Sequence, residues 1–376
     1  MKIAVVHGFY SSKTPSGENA VVQMQVDALK AAGHNVRLFS VHTDAVSSES
    51  LYSAKTAVRV ATGWGHNPLK ELQAFDPEVV HIHNLFPNFS TRWLRAWTGP
   101  LVVTLHNFRP FCAAGNLFRE GASCTLCPTK GQIHSIIHKC YRGSALATVP
   151  LAIRNRNGAR ADPLLQRADR LIFLSERARR TYAEYGVDDD RAAIVPNFVK
   201  SETTEDSSEN ESKSWLYAGR LSADKGIAPL IEAWPADVNL NVYGDGPDRA
   251  LLLEAGRDSV TLHGAVDREA VLSGIRNASG VVIPSLWAEG LPTIYLEALE
   301  AGVPVLAKSG NSAADDILSS NSGKVFDSWY DVPQMVNEIE SDWTVFSTAA
   351  RERFEENFTE QMWVSRVEEI YSSLTL

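Results

Sequence analysis

Short apolar runs alternate with helical stretches along the whole chain, and this alternation constrains the fold more than any other feature. Apolar runs of this length, separated by helices, are typical of parallel sheets with crossover connections. The alternation occurs in both halves of the chain, so the sequence predicts an α/β protein with two parallel sheets. The predicted strands are residues 2–7, 35–41, 78–83, 101–106, 170–175 and 192–195 in the first half, and 214–219, 239–243, 259–263, 280–284, 303–307 and 323–326 in the second.

A polar segment separates the two halves. Residues 200–214 contain no apolar side chain, which is typical of a linker, and a length of 376 residues is ample for two domains. We therefore expect a first domain at 1–198, a linker at 199–214 and a second domain at 215–356. Apolar residues at helical spacing predict a last helix at 357–376.

Two glutamates lie beside a predicted helix start in the second half. Glu289 follows an apolar strand, and Glu297 lies eight positions later inside the helix. Backbone N–H groups at a helix start lack intrahelical partners and form an anion site. Carboxylates accept hydrogen bonds from sugar hydroxyls, so the pattern suits a sugar nucleotide, with Glu289 on the hexose and Glu297 on the ribose. The alternative is a solvated loop glutamate and a helix-face glutamate. The other candidate donor-binding residues of this stretch are Gly290, Leu291, Pro292 and Thr293.

Two cations follow the first strand of the second half. Arg220 comes directly after Gly219, and Lys225 lies five residues further on. Arginine offers a planar fork to phosphate oxygens and lysine a mobile point charge. Together they could clamp a diphosphate and stabilise the negative charge that develops on a departing nucleoside diphosphate. The alternative is that both side chains are merely solvated.

These motifs resemble those of a known family. The pattern Gly-Arg-Leu-x3-Lys-Gly at 219–226, followed by Glu-Gly-x6-Glu at 289–297, is similar to the retaining glycosyltransferase family 4, also described as glycosyl transferases group 1. The resemblance implies the GT-B fold, in which two Rossmann-like domains face each other across a cleft. It also implies transfer of a sugar from a nucleotide donor with retention of the anomeric configuration, and a terminal helix that packs back on the first domain.

The resemblance extends to the first half of the chain. His106 and Asn107 look like the element that this family places near the reacting sugar, and Gly17 lies in a loop like the one whose backbone approaches the donor phosphate. The family often has two glycines there, whereas this chain has Ser16 before Gly17. The nucleotide base would lie near Gly264 and Val266, where the family reads it through backbone groups. By this resemblance the catalytic residues are His106, Arg220, Lys225 and Glu289.

No catalytic metal is expected. No carboxylate nucleophile is evident, so retention suits attack on the same face of the sugar, with the leaving phosphate accepting the acceptor's proton. No Asp-x-Asp motif accompanies the donor residues to mark a divalent cation, and Arg220 with Lys225 already supplies positive charge. We therefore expect a metal-independent transferase of the hexosyltransferase class that requires no cofactor.

All four cysteines lie close together in the sequence. They follow the His106 strand with the spacing C-x11-C-x2-C-x12-C. A Cys-x2-Cys pair is typical of a structural zinc site in a reducing compartment. Two disulfides and four unligated thiols remain as alternatives. The candidate zinc ligands are Cys112, Cys124, Cys127 and Cys140.

The charge distribution suggests an anionic partner for the first domain. The formal net charge is -9, yet residues 91–180 hold fifteen Lys or Arg and four Asp or Glu, which gives +11 there. The apolar stretch 145–153, followed by Arg154 and Arg156, could rest on an anionic bilayer, or it could be a buried insertion helix. The basic segment could equally be a solvated face. No DNA-reading or RNA-binding motif is evident, so no nucleic-acid partner is expected.

The partners and location follow from these features. We expect a UDP- or GDP-sugar donor and a sugar or lipid-linked sugar acceptor, in polysaccharide or glycolipid assembly. The first strand is too short for a secretory signal, so we expect a cytoplasmic protein, in contact with the inner face of the plasma membrane if the basic domain binds lipid. Two alternatives stay open, namely an epimerase or hydrolase that acts on the nucleotide sugar and a binding module without turnover. A dehydrogenase is disfavoured, because the first loop lacks Gly-x-Gly-x-x-Gly.

Overall fold

The computed structural model of the chain describes residues 1–10, 17–47, 52–201, 214–287 and 290–375. Its internal contacts divide the chain into two compact units. The first unit comprises Met1–Leu117, Cys124–Pro196 and Trp363–Leu376, and the second comprises Phe118–Ser123 and Asn197–Met362. Each unit contains a six-stranded sheet.

Fourteen strands lie within the described ranges. The first eight are β1 (Lys2–Phe9), β2 (Asn35–His42), β3 (Val79–Asn84), β4 (Leu101–Leu105), β5 (Phe118–Arg119), β6 (Ala122–Ser123), β7 (Arg170–Phe173) and β8 (Ala192–Ile194). The other six are β9 (Ser214–Ala218), β10 (Asn239–Tyr243), β11 (Val260–Gly264), β12 (Gly280–Ile283), β13 (Val305–Lys308) and β14 (Gly323–Phe326).

The α-helices of the same ranges fall into two sets. The first nine are α1 (Gly17–Ala31), α2 (Thr43–Ser47), α3 (Tyr52–Thr62), α4 (Leu69–Phe75), α5 (Leu126–Lys130), α6 (Ile133–Ile137), α7 (Ala145–Asn155), α8 (Pro163–Arg167) and α9 (Glu176–Glu184). The others are α10 (Ile227–Ala233), α11 (Arg249–Ala255), α12 (Arg268–Arg276), α13 (Thr293–Glu300), α14 (Ala314–Ser320), α15 (Val332–Ser341), α16 (Trp343–Asn357) and α17 (Glu360–Thr375). Short 3-10 turns occur at Arg92–Arg95, Ala159–Ala161, Ala223–Lys225 and Trp329–Asp331.

The first sheet has the order β2-β1-β3-β4-β7-β8, and all of its neighbouring strands are parallel. β3 and β4 are buried along their whole length. Parallel sheets are normally covered by helices on both faces, which explains why these strands appear in the sequence as nearly continuous apolar runs. The sheet aligns the carboxyl ends of β1, β3 and β4 at one edge, where the loops of the first unit carry their polar residues.

The second sheet has the order β11-β10-β9-β12-β13-β14 and is also parallel. Trp215 of β9 packs against Trp234, with ring centroids 5.7 Å apart in an edge-to-face arrangement. Both indoles are buried, in a core that includes Leu230, Leu240 and Val242. Burial of such large aromatic side chains stabilises the unit by the hydrophobic effect.

The predicted α/β class with two parallel sheets is confirmed. Each of the twelve predicted strands has a counterpart within a few residues. The sequence prediction missed the antiparallel hairpin β5–β6, which lies inside the cysteine segment. His7 lies inside β1 and is fully buried.

Most of α17, from Trp363 onward, belongs to the first unit. Trp363, Val367 and Tyr371 are buried, and the Tyr371 hydroxyl lies 2.6 Å from Nδ1 of His81 in β3. Glu368 pairs with His34 at 2.8 Å. The exact domain limits at 1–198 and 215–356 stay predictions, and residues 202–213 of the predicted linker lie outside the described residues.

No helix among the residues described here combines the length and the apolar character that crossing a membrane requires. The predicted apolar stretch at 145–153 forms most of α7. Thr148, Leu151, Ala152 and Asn155 are its buried residues. Its remaining face, together with α6, carries exposed aliphatic side chains.

Candidate functional site

The loop that carries Arg220 is fixed by contact with the loop after β10. A Cβ atom on Gly244 would lie 1.8 Å from the carbonyl oxygen of Gly219, so the two backbones touch and only glycine fits. Leu221 donates its N–H to the carbonyl of Asp245 at 3.0 Å. These contacts hold the backbone on both sides of Arg220 at the carboxyl edge of the second sheet.

Arg220 and Lys225 present their charges differently. Arg220 is exposed, and its carbonyl accepts a hydrogen bond from the Tyr217 hydroxyl at 2.8 Å. Lys225 is half-buried, and its ammonium lies 5.6 Å from the centre of the Trp287 ring. The adjacent Gly226 has a φ of 67°. A Cβ atom on Gly226 would lie 2.2 Å from the carbonyl oxygen of Pro284. The Lys225 turn therefore packs directly on the loop after β12.

The N-terminus of α13 has no side-chain cap among the described residues. Thr293 begins the helix after Pro292. Within that part of the chain, neither Thr293 nor Ile294 has an acceptor for its backbone N–H. Gly290 is partly exposed and the Leu291 side chain is buried. The residues just before the helix therefore present mainly backbone groups at its N-terminus. Free N–H groups and the helix dipole favour an anion there.

Glu297 lies within the first turns of α13 and is buried. Only 5% of its side chain is exposed, and its Oε1 pairs with the Arg268 guanidinium at 2.7 Å. Burial raises the pKa of this carboxyl, and the positive charge of Arg268 opposes the rise. A carboxylate has about four acceptor positions, so Glu297 can accept a hydrogen bond from a ligand hydroxyl in addition to its pairing with Arg268.

Two further donor predictions fall in this unit. Gly264 has a φ of 77°, and its carbonyl accepts the Gly244 N–H at 2.7 Å, so it lies beside the Arg220 loop. Val266 is 37% exposed at the same edge of the sheet. Glu289, predicted to contact the hexose, lies outside the described residues, although Trp287 and Gly290 on either side of it are described.

In the first unit, His106 belongs to a row of histidines on three neighbouring strands. Its Nε2 lies 3.1 Å from Nδ1 of His83. The ring of His83 lies 4.3 Å from the ring of His81, and His81 also bonds Thr104 at 2.8 Å. His7 completes the row, 6.3 Å from the ring of His83. His106 is therefore positioned by a side chain that is 23 residues away in the sequence.

Burial keeps these imidazoles neutral. It lowers the pKa of His106 and of His81 to about 3, and that of His7 to about 4. The pKa of His83 is also well below its ordinary value, because of burial first and of the neighbouring histidines second. At neutral pH the row therefore acts through hydrogen bonds and not through positive charge.

Asn107 has a local structural role as well as its predicted functional one. Its Oδ1 accepts the backbone N–H of Arg109 at 3.0 Å, and its carbonyl accepts the Tyr182 hydroxyl at 2.5 Å. Gly17 begins α1, and a Cβ there would meet nothing within 4 Å. Packing therefore gives no reason for a glycine at this position, whereas Pro15 and Ser16 lie outside the described residues.

The sequence prediction missed a polar cluster of the first unit that comprises Glu18, Asn84 and Arg109. Burial raises the pKa of Glu18 to about 7, and Arg109 opposes the rise. The Arg109 guanidinium stacks 4.4 Å from the Phe86 ring. Within the part of the chain described, buried Oε1 of Glu18 and Nε of Arg109 have no hydrogen-bond partner, nor has Nδ2 of Asn84. The sequence offered two signals for this cluster, because Glu18 directly follows Gly17 and Arg109 lies two residues after Asn107.

The zinc site predicted for the four cysteines stays a prediction. All four thiols are free of disulfides, and Cys112 and Cys127 are buried. Burial, with the other three thiols as a second cause, raises the pKa of Cys127 to about 12. Zinc requires thiolates that converge on one point at about 2.3 Å. Among the described residues no three His, Cys, Asp or Glu side chains form a group that could hold a metal, so the zinc prediction for Cys112, Cys124, Cys127 and Cys140 finds no support.

Two family descriptions match the sequence. "Glycosyl transferase 4-like domain" matches residues 16–197, and "Glycosyl transferases group 1" matches residues 200–360. The boundary between the two matches falls at residues 198–199, beside the predicted linker. The two matches together include nearly all the candidate residues named above.

Individual proteins are similar to the chain over most of its length. The phosphatidyl-myo-inositol mannosyltransferase of Mycobacterium leprae is 24% identical over 79% of this chain and 76% of its own length. The structure of sucrose-phosphate synthase from Thermosynechococcus elongatus matches with a TM-score of 0.70 and 17% identity, over 99% of this chain and 98% of that one.

A third match is Anabaena Alr3699/HepE in complex with UDP-glucose, with a TM-score of 0.62 and 14% identity over the whole of both chains. At such identities the likeness of the two structures concerns the fold alone. It extends over both units and confirms the predicted GT-B class.

Proposed function

Since the chain belongs to the group 1 glycosyltransferases of the family 4 type, we propose that it moves a hexose from a UDP- or GDP-sugar to a hydroxyl acceptor with retained configuration. One observation carries the proposal. Arg220, Lys225, the uncapped N-terminus of α13 and buried Glu297 all lie at the carboxyl edge of the second sheet. Two cations and free N–H groups suit a diphosphate, and a buried carboxylate suits ribose hydroxyls.

The proposed reaction exchanges one bond at the anomeric carbon. The acceptor oxygen forms a bond to that carbon while the bond from the carbon to the leaving phosphate oxygen breaks. The acceptor's proton passes to the leaving phosphate oxygen on the same face of the sugar, so configuration is retained. Arg220 and Lys225 stabilise the charge that develops on the diphosphate. Binding and positioning supply most of the remaining acceleration.

Each unit has a separate proposed role. The second unit binds the donor, with Glu297 on the ribose, Glu289 on the hexose and the backbone near Gly264 on the base. The first unit binds the acceptor and contributes His106 to the sugar, with Asn107 beside it and the backbone at Gly17 toward the phosphate. The neutral state of His106 supports a role in hydrogen bonding and positioning.

We propose that turnover needs no metal. The diphosphate carries charge that must be neutralised as it leaves, and Arg220, Lys225 and the α13 N-terminus offer three positive or partly positive groups. In many enzymes of phosphate chemistry a divalent cation takes this part. Here the protein's own groups suffice for the proposed step.

The donor nucleotide is proposed from relatives. The HepE complex with UDP-glucose favours a UDP-sugar. The name of the M. leprae relative favours mannosyl transfer, which keeps GDP-mannose in the test panel. Backbone contacts near Gly264 and Val266 would suit either base.

We propose a lipid-linked acceptor in glycolipid or polysaccharide assembly, reached by peripheral contact with the inner membrane face. Ile133 and Ile137 of α6 are 58% and 62% exposed, and Leu146 of α7 is 84% exposed. Lys130 and Arg142 are exposed close to them in sequence. Exposed aliphatic residues with basic neighbours suit the interface of an anionic bilayer.

The test is nucleoside diphosphate release from a panel of UDP-, GDP- and ADP-sugars, with EDTA present and with or without a lipid-linked acceptor extract. Release that requires the acceptor is the expected result. Consumption of the donor without acceptor would instead indicate an epimerase or hydrolase. Saturable donor binding with no release in any mixture would indicate a binding module.

A further inference from the structure

The first unit contains a cavity that the transfer reaction does not use. Its volume is about 170 Å³, and it lies between α3, α7 and the segment that follows β3. One water molecule needs about 15 Å³ of such volume, so the cavity has room for on the order of ten. This is enough for a phosphate group and part of its ester. All of its lining belongs to the first unit.

Three arginines line the cavity, and the guanidinium groups of two of them have no partner among the described residues. Arg154 is held by Asp162 at 3.0 Å. Within the described part of the chain, the guanidinium groups of Arg59 and Arg156 make neither an ion pair nor a hydrogen bond. None of the described lining residues is Asp or Glu. The cavity therefore has an uncompensated positive charge, and guanidinium forks match phosphate oxygens well.

Asp162 fixes one side of this arrangement. It is buried, and its other oxygen accepts the Leu164 N–H at 2.9 Å as the cap of α8. Arg154 is consequently anchored, with only 17% of its side chain exposed. A ligand anion would meet one fixed guanidinium and two that are free to turn toward it.

The remaining lining is partly apolar. Phe86, Phe89 and Ile153 form the apolar side, and Thr62, Thr91 and Asn157 offer further polar groups. Ile153 is 39% exposed, and Val58 next to Arg59 is 59% exposed. A cationic pocket with exposed aliphatic side chains on the same two helices suits an anion that is attached to an apolar body.

We propose that this arginine cavity, formed by Arg59, Arg154 and Arg156, binds a phosphate mono- or diester. The phosphate comes either from the headgroup of a membrane phospholipid or from a soluble phosphate ester. The site is separate from the donor residues, and binding to it needs no turnover. Its test is therefore independent of whether the proposed transfer takes place.

Two binding arms distinguish the sources. One arm measures flotation of the purified chain with phosphatidylcholine vesicles that contain or lack phosphatidylglycerol. The other titrates glycerol phosphate and follows the heat of binding. The test variant combines Arg59→Gln with Arg156→Gln. The matched control combines Arg95→Gln with Arg180→Gln, two exposed arginines of the first unit that do not line the cavity.

The control is needed because any lost cation weakens vesicle binding, by roughly fivefold per residue. We expect the cavity variant to lose at least about tenfold more affinity than the control in one arm or in both, since charge-assisted hydrogen bonds are lost as well. Loss in the vesicle arm identifies a phospholipid headgroup, and loss in the glycerol phosphate arm alone identifies a soluble ester. Equal losses for the two double variants in both arms would overturn the proposal.

A second cavity variant keeps the charge, so that poor folding of the first leaves the test intact. Arg59→Lys with Arg156→Lys retains both cations but removes the bidentate forks. We expect binding weaker than in the parent chain and stronger than in the Gln variant, with thermal unfolding unchanged. Full binding by the Gln variant after a normal melting curve would again overturn the proposal.

Discussion

Arg220 is the residue whose side chain the proposed chemistry needs most. Because it is exposed, its replacement should leave the fold intact. We expect Arg220→Ala to lower turnover by on the order of 100-fold or more, since it stabilises the leaving diphosphate. Steady-state nucleoside diphosphate release measures this. Lys324→Ala, which removes a cation on β14 outside the candidate site, should leave turnover near the parent value. Unchanged turnover of Arg220→Ala would remove this residue from the mechanism.

His83 is a positioning residue for His106 in our interpretation. Its Nδ1 lies 3.1 Å from Nε2 of His106, and this contact selects which His106 nitrogen carries the proton. We expect His83→Phe to lower turnover by roughly tenfold or more while the donor KM changes little, because a small misplacement of a positioned group slows the chemical step. His83→Gln, which can still hydrogen-bond, should recover part of the loss. Equal effects of the two substitutions would indicate that His83 acts on turnover only through its packing.

Among the elements, α13 depends on its neighbours for its place in the second unit. The Tyr295 hydroxyl of α13 donates to Asp316 of α14 at 2.5 Å, and Nε of Arg353 from α16 lies 3.2 Å from the same carboxylate. Asp316 thus joins three helices, one of which carries Glu297 and the proposed phosphate site.

We expect Asp316→Ala to reduce the free energy of unfolding by about 2 kcal/mol, because a buried hydroxyl and a partly buried guanidinium lose their acceptor. It should also raise the donor KM, since α13 loosens. Urea denaturation and donor titration measure the two effects. Asp315→Ala, at an exposed position of the same helix turn, should change stability by less than about 0.5 kcal/mol. Equal losses for the two variants would contradict the role of Asp316.

The histidine row makes β1, β3 and β4 sensitive to acid. The pKa values of His7, His81 and His106 are lowered from 6.5 to about 4, 3 and 3. As the pH falls, these histidines are therefore protonated in the unfolded chain before they are protonated in the folded chain. Their contribution to stability is complete above pH 6.5 and is lost as the pH falls toward these values. Glu18, whose pKa rises to about 7, acts in the opposite direction between pH 4.5 and 7.

We therefore expect the free energy of unfolding to fall steeply below pH 6, by up to about 1.4 kcal/mol per pH unit for each histidine. Urea unfolding at a series of pH values measures the slope. His81→Gln should reduce this slope between pH 6 and 4 by the amount that one proton contributes, about 1.4 kcal/mol per pH unit. His263→Gln, at an exposed site in the second unit, should not reduce it. A slope that is the same in all three proteins would show that His81 is not protonated on unfolding.

At the scale of the whole molecule, donor binding and sugar positioning are assigned to different units. Glu297→Leu should weaken UDP binding by about tenfold or more, because a charged acceptor for the ribose is lost. His106→Ala should leave UDP affinity nearly unchanged and lower turnover. Calorimetric titration with UDP and acceptor-dependent release separate the two effects. Loss of UDP affinity in His106→Ala would contradict this division.

Local sequence patterns were sufficient for much of the fold. The alternation of strands and helices depends on hydrophobic periodicity, which each segment carries within itself, so the twelve strands and the two-sheet class were predictable. The positions of Arg220, Lys225 and Glu297 in the fold were predictable for the same reason, whereas their roles stay predictions. Each follows a strand or lies at a helix start, and strand order then places them at one sheet edge.

Contacts between distant positions were not predictable in this way. The sequence alone determined the elements and the chemical types at their ends. The tertiary structure decided that His83 contacts His106, that Glu18 lies beside Arg109 and that Arg59 and Arg156 share a cavity. The reason is physical: periodicity is set by neighbours along the chain, whereas these contacts depend on how separate elements pack, which no spacing within one segment encodes.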